Sequence, residues 1–182
     1  MKTCLVILFC LMSVIVYCQD KSLTNVADGQ EVSLKNYTSS KAIVVIFTSN
    51  VCAYDGYYTE RLKSFFSTYK ANVQFILVNS YIEPEESADK MKAKYATWGF
   101  DVPYLADKDQ SWMKALNARK SPEVFVLDPG LKVLYSGAID DNPQLANGVK
   151  ESYLKKVLDA VIAGKQYAAT DMRAVGCSIR FK

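Results

Sequence analysis

Apolar positions in this chain fall into short continuous runs separated by longer stripes, and the alternation of the two predicts its elements. Ile43-Val-Val-Ile-Phe47 is a run of β-branched and aromatic residues bounded by polar ones, the pattern of a strand buried on both faces. Four mostly polar positions then lead to Cys52, and the spacing of Tyr58, Leu62, Phe65, Phe66 and Tyr69 predicts a helix reaching about Lys70. Val73-Gln-Phe-Ile-Leu-Val-Asn79 reads as a second buried strand. Glu85 to Trp98 reads as a second amphipathic helix, with Ala88, Met91, Tyr95 and Trp98 along one side. Strand, helix, strand, helix in succession predicts parallel strands joined by crossovers that cover the sheet.

Beyond this unit, Phe100 to Leu105 predicts a short extended segment and Ser111 to Asn117 a short helix. Ser121-Pro122 interrupts the chain just before Glu123-Val-Phe-Val-Leu-Asp128, and a turn at Pro129-Gly130 joins that strand to Lys132-Val-Leu-Tyr-Ser136 as an antiparallel hairpin. The last helix runs from about Glu151 to Ala163, with Leu154, Val157, Leu158, Val161 and Ile162 on one side and Gly164 as its stop. Ahead of the core, the polar stretch from Gln19 to Ser40 has a turn at Val26 to Gln30, followed by Val32, Leu34 and Tyr37. It reads as a short hairpin laid on a sheet edge. Lys165 to Lys182 has little periodicity, so this tail is either mobile or pinned by something specific. The expected organisation is one α/β domain over residues 19–164, preceded by a leader at 1–18 and followed by a tail at 165–182 that carries Cys177.

Composition narrows the chemistry. The chain has 182 residues, half of them hydrophobic, enough for one full-sized core. Lys and Arg total 22 against 19 for Asp and Glu, without a long run of like charge, so neither nucleic acid nor a membrane surface is indicated as partner. Histidine is absent, which removes Ser-His-Asp and Cys-His catalysis and most zinc and haem sites. Asp140, Asp141 and Asn142 lack the spacing of a calcium loop and read as a solvated turn. No phosphate loop or dinucleotide fingerprint is present, and neither metal nor cofactor is expected. Trp98 and Trp112 read as core or rim aromatics.

Residues 1–18 carry Lys2, an apolar stretch from Cys4 to Tyr17, and Val16-Tyr17-Cys18 ahead of a cut before Gln19, the pattern of a secretory signal. Export to a periplasm or the medium is the expectation, with no stable membrane insertion after the signal is removed. A lipid anchor through Cys18 competes with it, weakened by the bulk of Tyr17. Removal of the leader takes Cys4, Cys10 and Cys18 and leaves only Cys52 and Cys177, two cysteines that an oxidising compartment invites to pair. Cys52 stands where the buried strand hands over to a helix, and there unpaired N–H groups and the helix dipole favour a thiolate. Asp55 opposes it by like charge. The competing reading is a buried cysteine packed as a small hydrophobe. Arg61 lies nine residues beyond Cys52 and is expected to pair with a carboxylate or with the tail.

Phe47-Thr-Ser-Asn-Val-Cys-Ala-Tyr54, followed by Tyr58, Glu60, Arg61 and Leu62, resembles the Phe-Thr-Cys-Asn-His-Cys-Pro-Tyr signature and helix of the peroxiredoxin-like, AhpC/TSA-type redoxin branch of the thioredoxin-like superfamily. Gly176-Cys-Ser-Ile-Arg-Phe181 resembles that branch's terminal Gly-Cys-Ser-Ile-Lys-Trp. The resemblance implies a thioredoxin-like fold, a central mixed sheet flanked by helices with a C-terminal tail. It also implies a thiol-disulfide oxidoreductase with Cys52 as nucleophile and Cys177 as resolving or disulfide partner. By the same resemblance Thr48, Ser49, Asn50, Ser121 and Pro122 would line the substrate mouth, and a cis Ser121-Pro122 bond would turn the Ser121 backbone toward the sulfur. Implied partners are a protein or small-molecule disulfide or peroxide, and an electron donor that the sequence does not name. The chain also departs from the branch. Ser49, Val51 and Ala53 replace the first cysteine, the histidine and the proline, so Cys-x-x-Cys is missing. The Pro-x-x-x-Thr/Ser-x-x-Cys of ordinary peroxiredoxins is reduced to Val45, Ser49 and Cys52, and no arginine is in register to polarise a peroxide. A disulfide reductase is therefore favoured over a dedicated peroxidase. Loss of the local partner keeps open a reading of another class, a catalytically silent module that holds peptide in the Cys52 and Pro122 groove, with Cys52 and Cys177 as a structural staple or free thiols.

Overall fold

The structure, a computed structural model, describes residues 21–165, 167 and 172–182. The leader at 1–18, with Cys4, Cys10 and Cys18, lies outside the described residues. The elements are β1 (Leu23–Asn25), β2 (Glu31–Val32), β3 (Ala42–Phe47), α1 (Ala53–Tyr69), β4 (Val73–Asn79), α2 (Ala88–Trp98), β5 (Tyr104–Ala106), α3 (Ser111–Leu116), β6 (Lys120–Ser121), β7 (Glu123–Leu127), β8 (Val133–Gly137), α4 (Tyr153–Ile162) and β9 (Cys177–Ser178). Seven strands form one mixed sheet in the order β2-β1-β5-β4-β3-β7-β8, and β6 pairs with β9 apart from it. β3, β4 and β5 are parallel, whereas β7 runs antiparallel to β3, and β1 antiparallel to β5. This is the thioredoxin-like architecture.

Alternation along β3 shows why its run is apolar throughout. Ala42, Val44 and Ile46 pack into one core layer with Tyr58, Leu62 and Phe66 of α1 and with Leu154, Val157 and Leu158 of α4. Ile43, Val45 and Phe47 face the opposite layer, with Trp112, Met113 and Leu116 of α3 and with Ile179 of the tail. A strand covered on both sides has no solvent face to mark with polar residues.

Several local details depart from the sequence pattern. The helix expected from Glu85 is broken. Pro84–Glu86 forms one 3-10 turn, Ser87 is extended with ψ 156°, and α2 begins at Ala88, which is exposed. The break lets the Glu86 side chain turn inward, where it is buried. In the β7–β8 hairpin the left-handed residue is Leu131 (φ 64°), not Gly130. Leu131 N–H donates to the Asp128 carbonyl, and burial of its side chain in the α3 layer holds the conformation. Gly164 does end α4, at φ 68°, as Lys165 N–H reaches back to the Ala160 carbonyl at 2.9 Å. Asp140 is not a solvated turn residue. It is buried at 5% exposure and forms an ion pair with Arg61 at 2.6 Å while accepting the Tyr58 hydroxyl at 2.8 Å.

The tail is pinned. Gly137 sits at φ 131°, and a Cβ there would lie 1.9 Å from the Met172 carbonyl oxygen, so only glycine lets the returning chain approach. Ala138 N–H donates to that carbonyl at 2.8 Å. Farther on, β9 pairs antiparallel with β6.

Candidate functional site

β3 ends at Phe47, between Val78 of β4 and Glu123 of β7, so the chain leaves the sheet in its middle. Thr48 N–H still donates to the Val78 carbonyl at 2.9 Å. From there every residue of the loop is fastened. The Thr48 hydroxyl donates to Asp55 Oδ1 at 2.7 Å. The Ser49 hydroxyl donates to Glu86 and accepts the N–H groups of Val51 and Cys52, both at 3.1 Å. Asn50 N–H donates to Glu86 Oε2 at 2.8 Å, and its side-chain carbonyl accepts the Tyr104 hydroxyl at 3.1 Å. Cys52 is thereby placed at the residue before α1, with extended backbone at φ −71° and ψ 122°. A thiolate there faces the open N–H groups of a 17-residue helix.

Cys52 Sγ is bonded to Cys177 Sγ, the Cα atoms lying 6.0 Å apart across 125 residues of sequence. The Ser121 carbonyl oxygen lies 3.4 Å from Cys52 Sγ, and the Ser121-Pro122 peptide is cis. Three residues beyond Cys52, Asp55 is buried and also accepts the Ser121 hydroxyl. Burial pushes its carboxyl up to about 7, against the downward pull of the Ser121 and Thr48 hydroxyls and the Ser49 backbone, with the Glu86 charge adding to the rise. The acid that sequence reading placed as a plain opponent of the thiolate thus loses its charge through the neutral range.

The tail reaches this point along a strip of polar groups. Register places Ser121 opposite Cys177 and Lys120 opposite Ser178, and Ile179 N–H donates to the Arg119 carbonyl at 3.0 Å. The Tyr81 hydroxyl donates to the Cys177 carbonyl at 3.0 Å. Burial and the nearby Asp55 push that phenol above its ordinary range, so it stays a donor. Gln110 clamps the end of the chain, its Nε2 donating to the Arg180 carbonyl at 2.6 Å and its Oε1 accepting Lys182 N–H at 2.7 Å.

The structure therefore brings Cys52, Cys177 and Ser121 together and sets Pro122 next to them. Thr48 and Ser49 lie within a buried hydrogen-bond network, and Asn50 lies half-buried above it. Arg61 is engaged by Asp140 and by the carbonyls of Asn142 and Pro143, away from the sulfurs. Glu86, Tyr81 and Gln110 were missed by sequence reading. Glu86 lies in the polar run Glu83-Pro-Glu-Glu-Ser87, which reads as surface, and nothing local marks Tyr81 or Gln110 as tail-binding. A surface cavity of about 720 Å³ lined by Phe66, Lys70, Phe75 and Phe100 touches neither cysteine. Among the described residues no acidic and cysteine cluster is arranged to hold a metal ion, and no helix is long and apolar enough to cross a membrane.

A family model described as Redoxin matches residues 17–158. Among solved structures, an uncharacterized conserved protein from Geobacillus kaustophilus superposes with a TM-score of 0.81 at 32% identity over 88% of each chain. A hypothetical protein from Sinorhizobium meliloti 1021 does so with a TM-score of 0.82 at 29% identity, over 91% of this chain and 92% of that one. A thioredoxin-like protein from Aeropyrum pernix shares the fold at a TM-score of 0.57 and 19% identity, over 79% of this chain and 88% of its own. No curated protein matches.

Proposed function

The chain belongs to the Redoxin family of thiol-dependent oxidoreductases, and from that premise we propose that it is an exported protein reducing disulfides, with Cys52 as nucleophile and Cys177 as resolving thiol. The observation that carries the reading is the bond between those two sulfurs, which joins the head of α1 to the end of the chain. In the dithiol form the Cys52 thiolate attacks one sulfur of the substrate disulfide. The substrate S–S bond breaks, its other sulfur leaves as a thiolate and takes a proton, and Cys52 holds a mixed disulfide. Cys177, as thiolate, then attacks Cys52 Sγ, closing the internal disulfide and releasing the second substrate thiol. Two electrons pass from the protein to the substrate, and an external dithiol restores them.

The surroundings support disulfide over peroxide as oxidant. The Ser49 hydroxyl, the one group of the reduced peroxidase motif that could donate to a peroxide, is directed at Glu86, and the nearest arginine by sequence, Arg61, is held by Asp140. Export is supported by the leader pattern at residues 1–18. A staple without turnover is the rival, and the dense contacts of the tail favour it. The two are separated by following alkylation of Cys52 in the reduced protein across pH and by assaying turnover. A thiol titrating well below the ordinary value of about 8.5, loss of turnover in Cys52→Ser, and a trapped mixed disulfide in Cys177→Ser are expected. An ordinary thiol without turnover would leave only the staple.

A further inference from the structure

Cys52 is 7% exposed and bonded to Cys177 while β9 lies on β6, so a polypeptide partner gains the sulfur along this edge where the strand that carries Cys177 comes off. What it uncovers is a row of backbone-directed groups: the Arg119 carbonyl, the Ser121 backbone, the Tyr81 hydroxyl, and both ends of the Gln110 amide. With the tail in place Ser121 and Gln110 are fully buried, so its departure takes the cover off the strip and, although Gln110 Nε2 keeps the Ser80 carbonyl at 3.1 Å, leaves the other groups without their protein partners. The bonds the tail makes to them run through its main chain, so an extended polypeptide can re-form them by adding a strand, whereas a small disulfide has no main chain to span the row.

The contacts of the tail also define which polypeptide fits. A Cβ at residue 176 would lie 2.0 Å from the Ser121 carbonyl oxygen and 3.2 Å from Pro122 N. These are backbone atoms, so the position before the cysteine must be glycine. Ser178 is exposed and touches only the flexible Lys120 ammonium among the described partners of its side chain, so the position after the cysteine is free. Ile179 is buried at 5% exposure in the α3 layer, which calls for an aliphatic residue two positions after the cysteine. The Phe181 ring lies under the Arg119 guanidinium at 4.6 Å, adding a preference for an aromatic four positions after it. Everything else is read through the main chain.

We infer that the strip along Arg119–Ser121, with Tyr81 and Gln110, is a binding site for an extended polypeptide of the form Gly-Cys-x-aliphatic-x-aromatic. In the disulfide state the chain's own tail fills it. The inference rests on Cys52 acting as a nucleophile and names the class of substrate it takes. A partner segment forms its mixed disulfide with Cys52 while paired to β6, and it leaves as β9 returns, one strand replacing another on the same edge.

The test uses the reduced full-length Cys177→Ser protein and a blocked peptide Val-Gly-Cys-Ser-Ile-Arg-Phe whose cysteine is held as a disulfide with 5-thio-2-nitrobenzoate. Cys52 attacks the peptide sulfur, the bond to the aromatic thiol breaks, and the coloured thiolate released reports the rate. The Cys52 proton passes to solvent. Peptides with alanine in place of the glycine, or aspartate in place of the isoleucine, are expected to react about tenfold more slowly or worse, although all three react alike with free glutathione. Equal rates for the three, with Cys52 still reactive toward the symmetrical aromatic disulfide, overturn the strand site and leave the thiol chemistry standing. An unreactive Cys52 in every arm overturns both. Should Cys177→Ser fail to fold, Gly176→Ala in the chain with both cysteines serves instead. It should shift the dithiothreitol concentration that half-reduces the Cys52–Cys177 bond about tenfold lower, and an unchanged midpoint overturns the site.

Discussion

Asp55 is the residue whose role depends most on where the fold puts it. Read locally, it is an acidic residue in the first turn of a helix, a favourable place for a negative charge. In the fold it is buried with both oxygens bound by hydroxyls, those of Thr48 and Ser121, and burial raises its carboxyl to about 7. The folded chain therefore holds a proton that the unfolded chain has already lost above the ordinary value of 3.8. The stability from this group is full below that value and is lost as pH rises toward 7, at up to about 1.4 kcal/mol per pH unit. Asp55→Asn should remove that slope, seen as urea midpoints at pH 4.5 and 7.5 that differ less in the variant than in the native chain. Equal slopes would show that burial of Asp55 is not their source. Asp140 makes the same point in another setting. Asp140-Asp-Asn142 reads as a solvated turn, yet the first of the three is buried against Arg61 and Tyr58. Asp140→Ala would leave a mostly buried guanidinium without its counter-charge, and the expected loss is about 3 kcal/mol in chemical denaturation.

Among the elements, legibility followed burial. β3, β4 and α1 sit in the centre, and their apolar runs and stripes carried their positions to within a residue or so, as did the hairpin of β7 and β8. Cys52 was readable for the same reason, since the end of a doubly covered strand fixes where the chain must turn. The elements that misread are those decided by one distant contact. Glu86 breaks the start of α2 because Ser49, Asn50 and Asn79 draw its carboxylate inward, and that contact leaves no periodic trace. The return of the tail, which the resemblance implied, has no periodic trace either, since its two residues in β9 show no alternation. The tail's first seat, Gly137 against Met172, has a direct test. Gly137→Ala should unseat the Met172 carbonyl and free the Ala138 amide that donates to it. Hydrogen exchange at that amide is expected to rise about tenfold or more, while amides of β3 and β4 keep their protection. Unchanged exchange at Ala138 would mean that the seat tolerates a methyl group.

At the scale of the whole molecule, the bond between Cys52 and Cys177 closes a loop of 125 residues. On the chain-entropy model such closure restricts the unfolded state by roughly 5 kcal/mol. Reduction should lower the unfolding free energy by about that amount, measured as urea curves with and without dithiothreitol. A loss below about 1 kcal/mol would mean that the unfolded dithiol chain is already compact. The fold itself was open to sequence reading because a two-sided sheet needs only local patterns, whereas the joining of its two ends depended on a resemblance. The seat at Met172 lies only five residues before Cys177, so even with the sulfurs apart the second thiol hangs on a leash of about 17 Å. A thiol so tethered meets Cys52 at an effective concentration in the millimolar range, and its rate of return is a property of one molecule, indifferent to dilution.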